Sequence, residues 1–596
     1  MTATDATTPT TPLAINADPV VRRRIGAITA RVALLAPVVA IYLLFFVWPV
    51  FSVLLRSLSP DGRFDAAAPV IDLSNYQKIF VDDFLLRIEW RTVLLAVNST
   101  LLTVLLAFPT AYFISRLSKR TAALLLLLIL VPFWVSIVVR LFAVTSILSP
   151  NGIVNQLSLA LGLGETSLLY TQAGTLVGTV MYLLPYMVLV LYAGMTSVDD
   201  NLVLAARTMG ASSVRTFFTV YLPMVRGSIV SGALLVFILG LSFFLVPAIL
   251  GGPQEQTISV YIQQQIDVYQ WGIASAMGIL LLIATIICYV GVVRVAGSFQ
   301  PGGIGSAQAK GVSTSLPFRW SPWMAGSAVV SVVTIAFLVI PVLFVFPLAV
   351  GETGTVVFPP RGFTLRWFGE VFTSQTWLGP ITQSLIVALG TAVLSVGMAL
   401  VLARITSRMT STTGKAVIGG LAFAPIVTPA ILLAIGIFDV ELRLGLTGTV
   451  IGLVFAHTII AFPLSYALIS AAMGSADRGI EAAAWTLGAS RARAFWTIVV
   501  RGIMPSVVGA FAIAFVTSWD EVVLALFVQT GPTKTLPVTI YKYLESGIVP
   551  TVPAVASLLV LVVVLIVVVR SVLNRATADR AARRGTVRPP ARQEKP

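Results

Sequence analysis

The sequence predicts an all-α polytopic membrane protein of two parallel homologous six-helix halves, about 12 transmembrane helices in all. Composition and an internal repeat carry that prediction. Of 596 residues, 57% are hydrophobic and 11% charged, mean hydropathy is +0.96, and apolar runs of about 20 residues recur, the length that crosses a hydrocarbon core at helical rise. A β-barrel would show short alternating strands instead. The repeat aligns Gly210 with Gly488 (488 − 210 = 278) and, at that spacing, Ala205-Ala206 with Ala483-Ala484, Thr208 with Thr486, Ala211-Ser212 with Ala489-Ser490, Arg215 with Arg493 and Phe217 with Phe495. One chain therefore holds two copies of one unit.

Residues 1–31 read as a disordered cytoplasmic N-terminus ending in Arg22-Arg23-Arg24 and the start of the first span. The span at about 32–55 is too long for a signal-peptide core, so it reads as an uncleaved anchor. An acidic stretch with Asp61, Asp65, Asp72, Asp82 and Asp83 follows on the outer side. Further spans are expected near 93–116, 121–148, 173–196, 228–250 and 272–294, which completes a first half over 32–296. Residues 297–325 read as a flexible cytoplasmic linker. The second half, 326–573, repeats the plan near 326–350, 380–403, 415–438, 447–472, 506–528 and 551–573, and 574–596 forms a basic cytoplasmic tail. Lys and Arg cluster between spans as the positive-inside rule requires, so the formal charge of +15 does not call for a nucleic acid partner. Both termini and both repeat copies then face the cytoplasm. Six spans per half is an even number, which makes the halves parallel rather than inverted.

Each repeat copy has a physical reading. An Ala-rich helix reaches Gly210 or Gly488, glycine permits a turn, and a second short amphipathic helix follows, giving a helix–turn–helix knob outside the membrane. Such a knob can dock into a groove of another protein; the alternative is a plain interfacial connector. The sequence here resembles the permease subunits of binding-protein-dependent ABC importers, whose signature loop reads Glu-Ala-Ala-x-x-x-Gly followed by Leu-Pro. The resemblance implies that Leu204, Ala205, Ala206, Gly210, Ala211, Phe217 and Pro223 in one half, and Glu481, Ala483, Ala484, Gly488, Ala489 and Phe495 in the other, couple the chain to an ATPase. Two departures stand out. Leu204 and Ala482 occupy the glutamate position, with Glu481 one residue early, and Pro223 meets Arg501, the next proline being Pro505.

The resemblance extends over nearly all the membrane-embedded chain. Pro132-Phe133-Trp134-Val135-Ser136, Val139-Arg140, Asn151-Gly152, Asn155 and Pro247 through Pro253 look like the first permease subunit of spermidine/putrescine importers. Gly445-Leu446-Thr447-Gly448, Ala456-His457-Thr458, Pro463, Ser518-Trp519-Asp520-Glu521-Val522-Val523, Gly531-Pro532, Thr535 through Val538 and Ile540-Tyr541 look like the second. Importers for ferric iron and other solutes share parts of these patterns. What the resemblance implies is the type I ABC importer permease fold in the bacterial cytoplasmic membrane, with the two subunits fused. It further implies two cytoplasmic ABC ATPase subunits that hold the ATP and Mg, and an extracytoplasmic solute-binding protein that delivers a polyamine. No cofactor is expected in this chain.

Asp520 and Glu521 fall about 15 residues into their span, on the order of 22 Å across the bilayer. Carboxylates at that depth need a wet cavity or a partner. They either face a cationic solute, with Trp519 for cation–π contact, or pair with a basic residue or cap a broken helix; Ser242 and Phe243 are their repeat counterparts. Tyr182 and Tyr186, flanking Pro185, and Trp134 are packing or pathway residues. Arg140 is expected to snorkel to the outer interface, and Asp439 and Glu441 to lie in a solvated rim loop. His457 reads as a hydrogen-bonded core histidine rather than a proton relay. A single His and a single Cys, Cys288, exclude a His- or Cys-clustered metal site and an internal disulfide. The only Gly-Lys pair, Gly414-Lys415, has Met409 and Ala416 where a phosphate-binding loop needs Gly and Ser/Thr. The sequence thus shows no enzyme chemistry of its own, and the alternative to an ATP-driven importer is an ion-gradient-driven secondary transporter with Asp520, Glu521 and His457 as relay groups.

Overall fold

The computed structural model describes residues 33–62, 71–296, 321–547, 549–566 and 569. The expected N-terminal segment, most of the linker, Asp65 and the basic tail lie outside the described residues. Among the described residues all regular structure is helical. Among the described residues nine helices are long and apolar enough to cross a membrane, eleven when two sharply bent pairs are each taken as one span. The shorter apolar helix Thr551–Ile566 gives the second half its sixth.

In the first half, α1 is Ala33–Ser57, α2 Asp83–Ser115, α3 Lys119–Trp134, α4 Ile137–Leu148, α5 Gln172–Thr196, α6 Asp200–Thr208, α7 Ser213–Leu241, α8 Leu245–Leu250, α9 Ile258–Asp267 and α10 Trp271–Ala296. The second half follows with α11 Pro322–Ala349, α12 Gln375–Arg408, α13 Thr412–Val427, α14 Ala430–Leu444, α15 Val450–Ser475, α16 Arg478–Thr486, α17 Arg491–Val500, α18 Met504–Trp519, α19 Val523–Val528, α20 Leu536–Ser546 and α21 Thr551–Ile566. Side-chain caps start the spans, since the first backbone N–H groups of a helix have no partner inside it. Thr171 accepts from Gly174 N (3.2 Å) to open α5, and its repeat counterpart Thr449 accepts from Gly452 N (3.0 Å) to open α15. Ile258 N donates to Thr92 Oγ1 (2.9 Å) in one half and Leu536 N to Ser384 Oγ (2.8 Å) in the other, so the duplication is three-dimensional.

Two sequence expectations change. The stretch 121–148 is interrupted, since helix α3 gives way at Val135–Ser136 to α4, which begins the span Ile137–Ala160, and 415–438 is a broken span in which α13 meets α14 at 97°. Pro429 accounts for the second break, because a residue preceding proline is pushed to extended backbone, as Thr428 is (ψ 128°). The fifth span also moves. In the first half it starts inside the repeat loop at Ser213, passes through a π-helical turn at Phe217–Tyr221 and ends at Leu241. The expected second short amphipathic helix is therefore the first turns of α7. In the second half a 77° bend separates α17 from α18. After both fifth spans the chain continues as a short helix, α8 or α19.

The halves interleave through their first helices. Phe45 stacks on Phe455 (4.7 Å) and Tyr42 meets Phe462 edge-on (6.3 Å), placing the first turns of α1 on the second half, while its later turns lie between α14 and α10 of its own half. A Cβ on Gly436 would come within 2.5 Å of the Pro49 carbonyl, so glycine is required where α1 crosses α14. Reciprocally, α11 packs on α2, α3 and α4, with Thr110 Oγ1 donating to Thr334 Oγ1 (3.2 Å). Trp323, at the start of α11, lies 6.0 Å from Phe217 of the first loop. From there α11 runs to the far end of the bundle and α12 returns, its last turns meeting the second loop through Arg404 and Arg408. Both loops accordingly share one end of the bundle, and Gln375 lies at the other.

Candidate coupling loops and the central helix breaks

The two loops are built alike. Asp199 accepts from Asn201 N (2.9 Å) and Asp477 from Gly479 N (2.7 Å), capping α6 and α16. Gly210 (φ 88°) and Gly488 (φ 85°) turn the chain through left-handed backbone that an L side chain resists. Ser212 and Ser490 then cap the next helix through Arg215 N (3.3 Å) and Arg493 N (3.2 Å).

Burial repeats with the fold. Ala205 and Ala483 are exposed, Ala206, Ala484, Ala211 and Ala489 half-buried, Thr216 and Ala494 buried, Phe217 and Phe495 half-buried. Leu204 is exposed, as are Gly210, Gly488 and Pro223, the last in the first turn of the helix that follows the π-turn. Three matched positions present large apolar side chains to the outside: Leu202 with Ile480, Met209 (85% exposed) with Leu487 (88%), and Phe218 with Trp496. Sequence reasoning missed these six. Their signal was available, since each pair aligns at the repeat spacing and is apolar in both copies. Clustered exposed apolar residues on a protruding element mark a docking face.

A carboxylate ties each loop to the end of its half's second span. In the second half Glu481, 4% exposed, hydrogen-bonds both Nη atoms of Arg404, one at 3.1 Å, and pairs with Arg408 at 2.8 Å. The Arg404 guanidinium also lies over Phe495 (4.8 Å) and that of Arg408 over Trp485 (5.0 Å). The Arg404 hydrogen bond holds the Glu481 carboxyl below the usual carboxylate range, against the opposing effect of burial. In the first half the matched residue is buried Val203, and the link is made one turn earlier, Asp200 to Arg116 at 2.6 Å, with Arg116 near the rings of Tyr112 and Tyr221. The absent glutamate at position 204 or 482 thus does not leave the loops without ion pairs.

The deep carboxylates lie at helix breaks. Asp520 accepts from Ile137 N (2.8 Å), so a residue from the break after α18 caps α4 of the other half. Glu521 accepts from Leu524 N (2.8 Å) and caps α19. Arg140, expected at the interface, is buried with its guanidinium 5.7 Å from the Tyr182 ring centre; a place among aromatic rings in the bundle replaces snorkelling. Tyr182 stacks near Phe243 (4.5 Å) and its hydroxyl is 3.4 Å from that of Tyr186, which meets Phe133. Trp519 stacks on Phe515 (5.9 Å). Trp134 ends α3, and its side chain lies outside the described residues. His457 Nδ1 is 2.8 Å from Ser518 Oγ, which donates to Thr391 (3.2 Å), a buried chain joining α15, α18 and α12. Asp439 and Glu441 are not in a solvated loop. Both are buried in α14, and Asp439 pairs with Arg56 of the first half and with Arg443 (3.1 Å), because α14 extends past the expected span end at 438.

Two interleaved six-helix halves with paired loops on one end define a membrane transport permease. Residues 99–299 and again 395–582 match the family described as binding-protein-dependent transport system inner membrane component, and the chain belongs to that family, with its two copies fused in one ABC importer permease. The chain is 32% identical over 217 residues to the spermidine/putrescine transport system permease protein PotB of Salmonella typhimurium (strain LT2), covering 36% of this chain and 75% of that protein. It is 31% identical over 217 residues to PotB of Escherichia coli (strain K12), covering 36% and 78%. With the putrescine transport system permease protein PotI of the same strain it shares 26% over 254 residues, covering 41% and 88%. Among solved structures, a bacterial ABC transporter involved in the import of the acidic polysaccharide alginate superposes with a TM-score of 0.41 at 19% identity, over 46% of this chain and 98% of that one.

Proposed function

We propose that this chain supplies both transmembrane halves of an ATP-driven importer for a small organic cation of the polyamine class. An extracytoplasmic solute-binding protein delivers the cation, and two cytoplasmic ABC ATPase subunits, which hold the ATP and Mg, drive its passage. The matched exposed apolar positions of the two loops carry this reading, since two equal docking faces on one end suit two ATPase subunits. Similarity to PotB and PotI, named as spermidine/putrescine and putrescine transport permeases, supports the solute class. The chain would lie in the bacterial cytoplasmic membrane with loops and termini inside.

In this scheme, closure of the ATPases on ATP moves both loops together. The ion pairs Glu481–Arg404/Arg408 and Asp200–Arg116 pass that motion to α12 and α2, the halves rotate about their interleaved first helices, and the contact between Asp520 and the start of α4 opens. Released from that contact, Asp520 offers a carboxylate to an ammonium passing between the halves. The test is reconstitution with the ATPase and binding protein and measurement of ATP-dependent uptake of labelled putrescine and spermidine. Uptake by the purified chain alone, driven by a proton or sodium gradient, would overturn the proposal. ATP-dependent uptake of another solute with none of polyamine would overturn the substrate class alone.

A further inference from the structure

At the end of the bundle opposite the loops, the second half carries a hollow of about 420 Å³ between the first turn of α12, the turn at Gly531–Thr533 and α20. Lys534 and Lys542 line it together, with Gln375, Thr376 and Tyr543. Both lysines are exposed, and among the described residues neither makes an ion pair. Glu545, one turn along α20, is not part of the lining. The first half is different at the same places. The repeat spacing puts Gln256 where Lys534 is and Gln264 where Lys542 is, and these two glutamines hydrogen-bond each other, Gln256 Nε2 donating to Gln264 Oε1 at 3.1 Å.

That glutamine contact shows that the two positions face one another on this framework. Exchanging both for lysine replaces a closed hydrogen bond with two like charges that repel until an anion comes between them. The N-terminal end of the 34-residue helix α12 adds positive potential on one wall. The chemistry selects a carboxylate, and only one half offers the socket.

We propose that the Lys534–Lys542 hollow receives an acidic side chain of the extracytoplasmic solute-binding protein, and that its absence from the first half fixes which way round that protein sits on the pore. The proposal rests on the importer reading above, which puts this end of the bundle outside the cell. It deepens that reading by naming an anchoring contact. A rim contact of this kind acts on association and orientation more than on final affinity.

The experiment places photoreactive p-benzoylphenylalanine at position 534 or 542 of the full chain in cells, with positions 256 and 264 as controls. Irradiation is expected to join 534 and 542 to a solute-binding protein, at a peptide bearing Asp or Glu that mass spectrometry identifies, and to leave 256 and 264 unjoined. The double variant Lys534→Glu/Lys542→Glu should lower uptake of labelled putrescine at least tenfold, with recovery when the joined acid is changed to lysine. Adducts to phospholipid only, equal labelling at 256 and 264, no adduct, or normal uptake by the double variant would each overturn the proposal. Those results leave ATP-driven uptake by the unaltered chain in place, whereas failure of the importer reading removes that uptake.

Discussion

Glu481→Gln keeps the shape of the side chain and removes its charge. Two guanidiniums then face a neutral amide. Removing one member of a buried ion pair costs about 3–5 kcal/mol, but Arg408 is 40% exposed and its share is screened, so about 2–3 kcal/mol is the appropriate figure for the anchoring of α16. At 1.4 kcal/mol per tenfold, local opening of α16 becomes about 30 to 150 times more frequent. Hydrogen exchange of the amides of residues 481–486 reads this directly, and in the reconstituted importer ATP hydrolysis should persist while uptake per ATP falls. The first half supplies a rescue: Arg478→Asp with Glu481→Val reproduces the Asp200 and Val203 arrangement and should restore most of the protection. Unchanged exchange in Glu481→Gln would refute the reasoning, because a carboxylate that anchors nothing can be neutralised freely. The pH dependence has a definite sign. The Glu481 pKa is depressed in the folded chain, so its contribution is complete above the ordinary carboxylate value of about 4.3 and is lost only as pH falls through the lower folded-state value. Protection of α16 should be flat from about pH 5 to 8 and disappear in stronger acid.

Three further outcomes are expected. Gly210→Ala and Gly488→Ala meet open space but force an alanine to positive φ, a cost of about 1–2 kcal/mol each, seen as a lower melting temperature with the two changes additive. Phe218→Asp with Trp496→Asp should abolish copurification of the ATPase while the chain keeps its melting temperature, since both side chains are exposed. Asp520→Ala deletes the cap on α4 and should cost about 1–2 kcal/mol. Asp520→Asn keeps an acceptor, so it should fold normally yet raise KM for putrescine if the carboxylate meets the solute; an unchanged KM would confine Asp520 to capping.

The duplication, the helical class and the family resemblance were legible because Gly210/Gly488, the alanine pairs and Phe217/Phe495 recur at one spacing, and because apolar runs announce spans without any tertiary knowledge. Of the helix breaks, the one between α13 and α14 carried a signal in Pro429 that went unread, and the others carried none. Val135–Ser136 and Ser242–Phe244 lie in runs whose hydropathy hardly changes, and a run buried on most sides has no periodicity to interrupt. The loop ion pairs escaped for another reason. Glu481 and its Arg404 partner are 77 residues apart, and the first half uses Asp200 rather than the matched Val203, so alignment of the copies hides the shared device. Asp439 was misplaced because its Arg56 partner is 383 residues away in the other half; a charged residue near a span end reads as solvated until something arrives to bury it. For Asp520, sequence left capping and solute contact both open, and the hydrogen bond from Ile137 shows the capping.

The exchange of first helices has a consequence for inheritance as much as for mechanics. Neither half closes its own surface: α1 completes the second, α11 the first. An isolated half made by truncation would carry a bare apolar face with no resident cover, and pairing two like halves would duplicate one set of loops and lose the other. A chain that encodes both in sequence makes them in strict one-to-one supply and never has to sort like from unlike. Freed from self-pairing, the copies can drift apart residue by residue, as Lys534 and Lys542 have from Gln256 and Gln264.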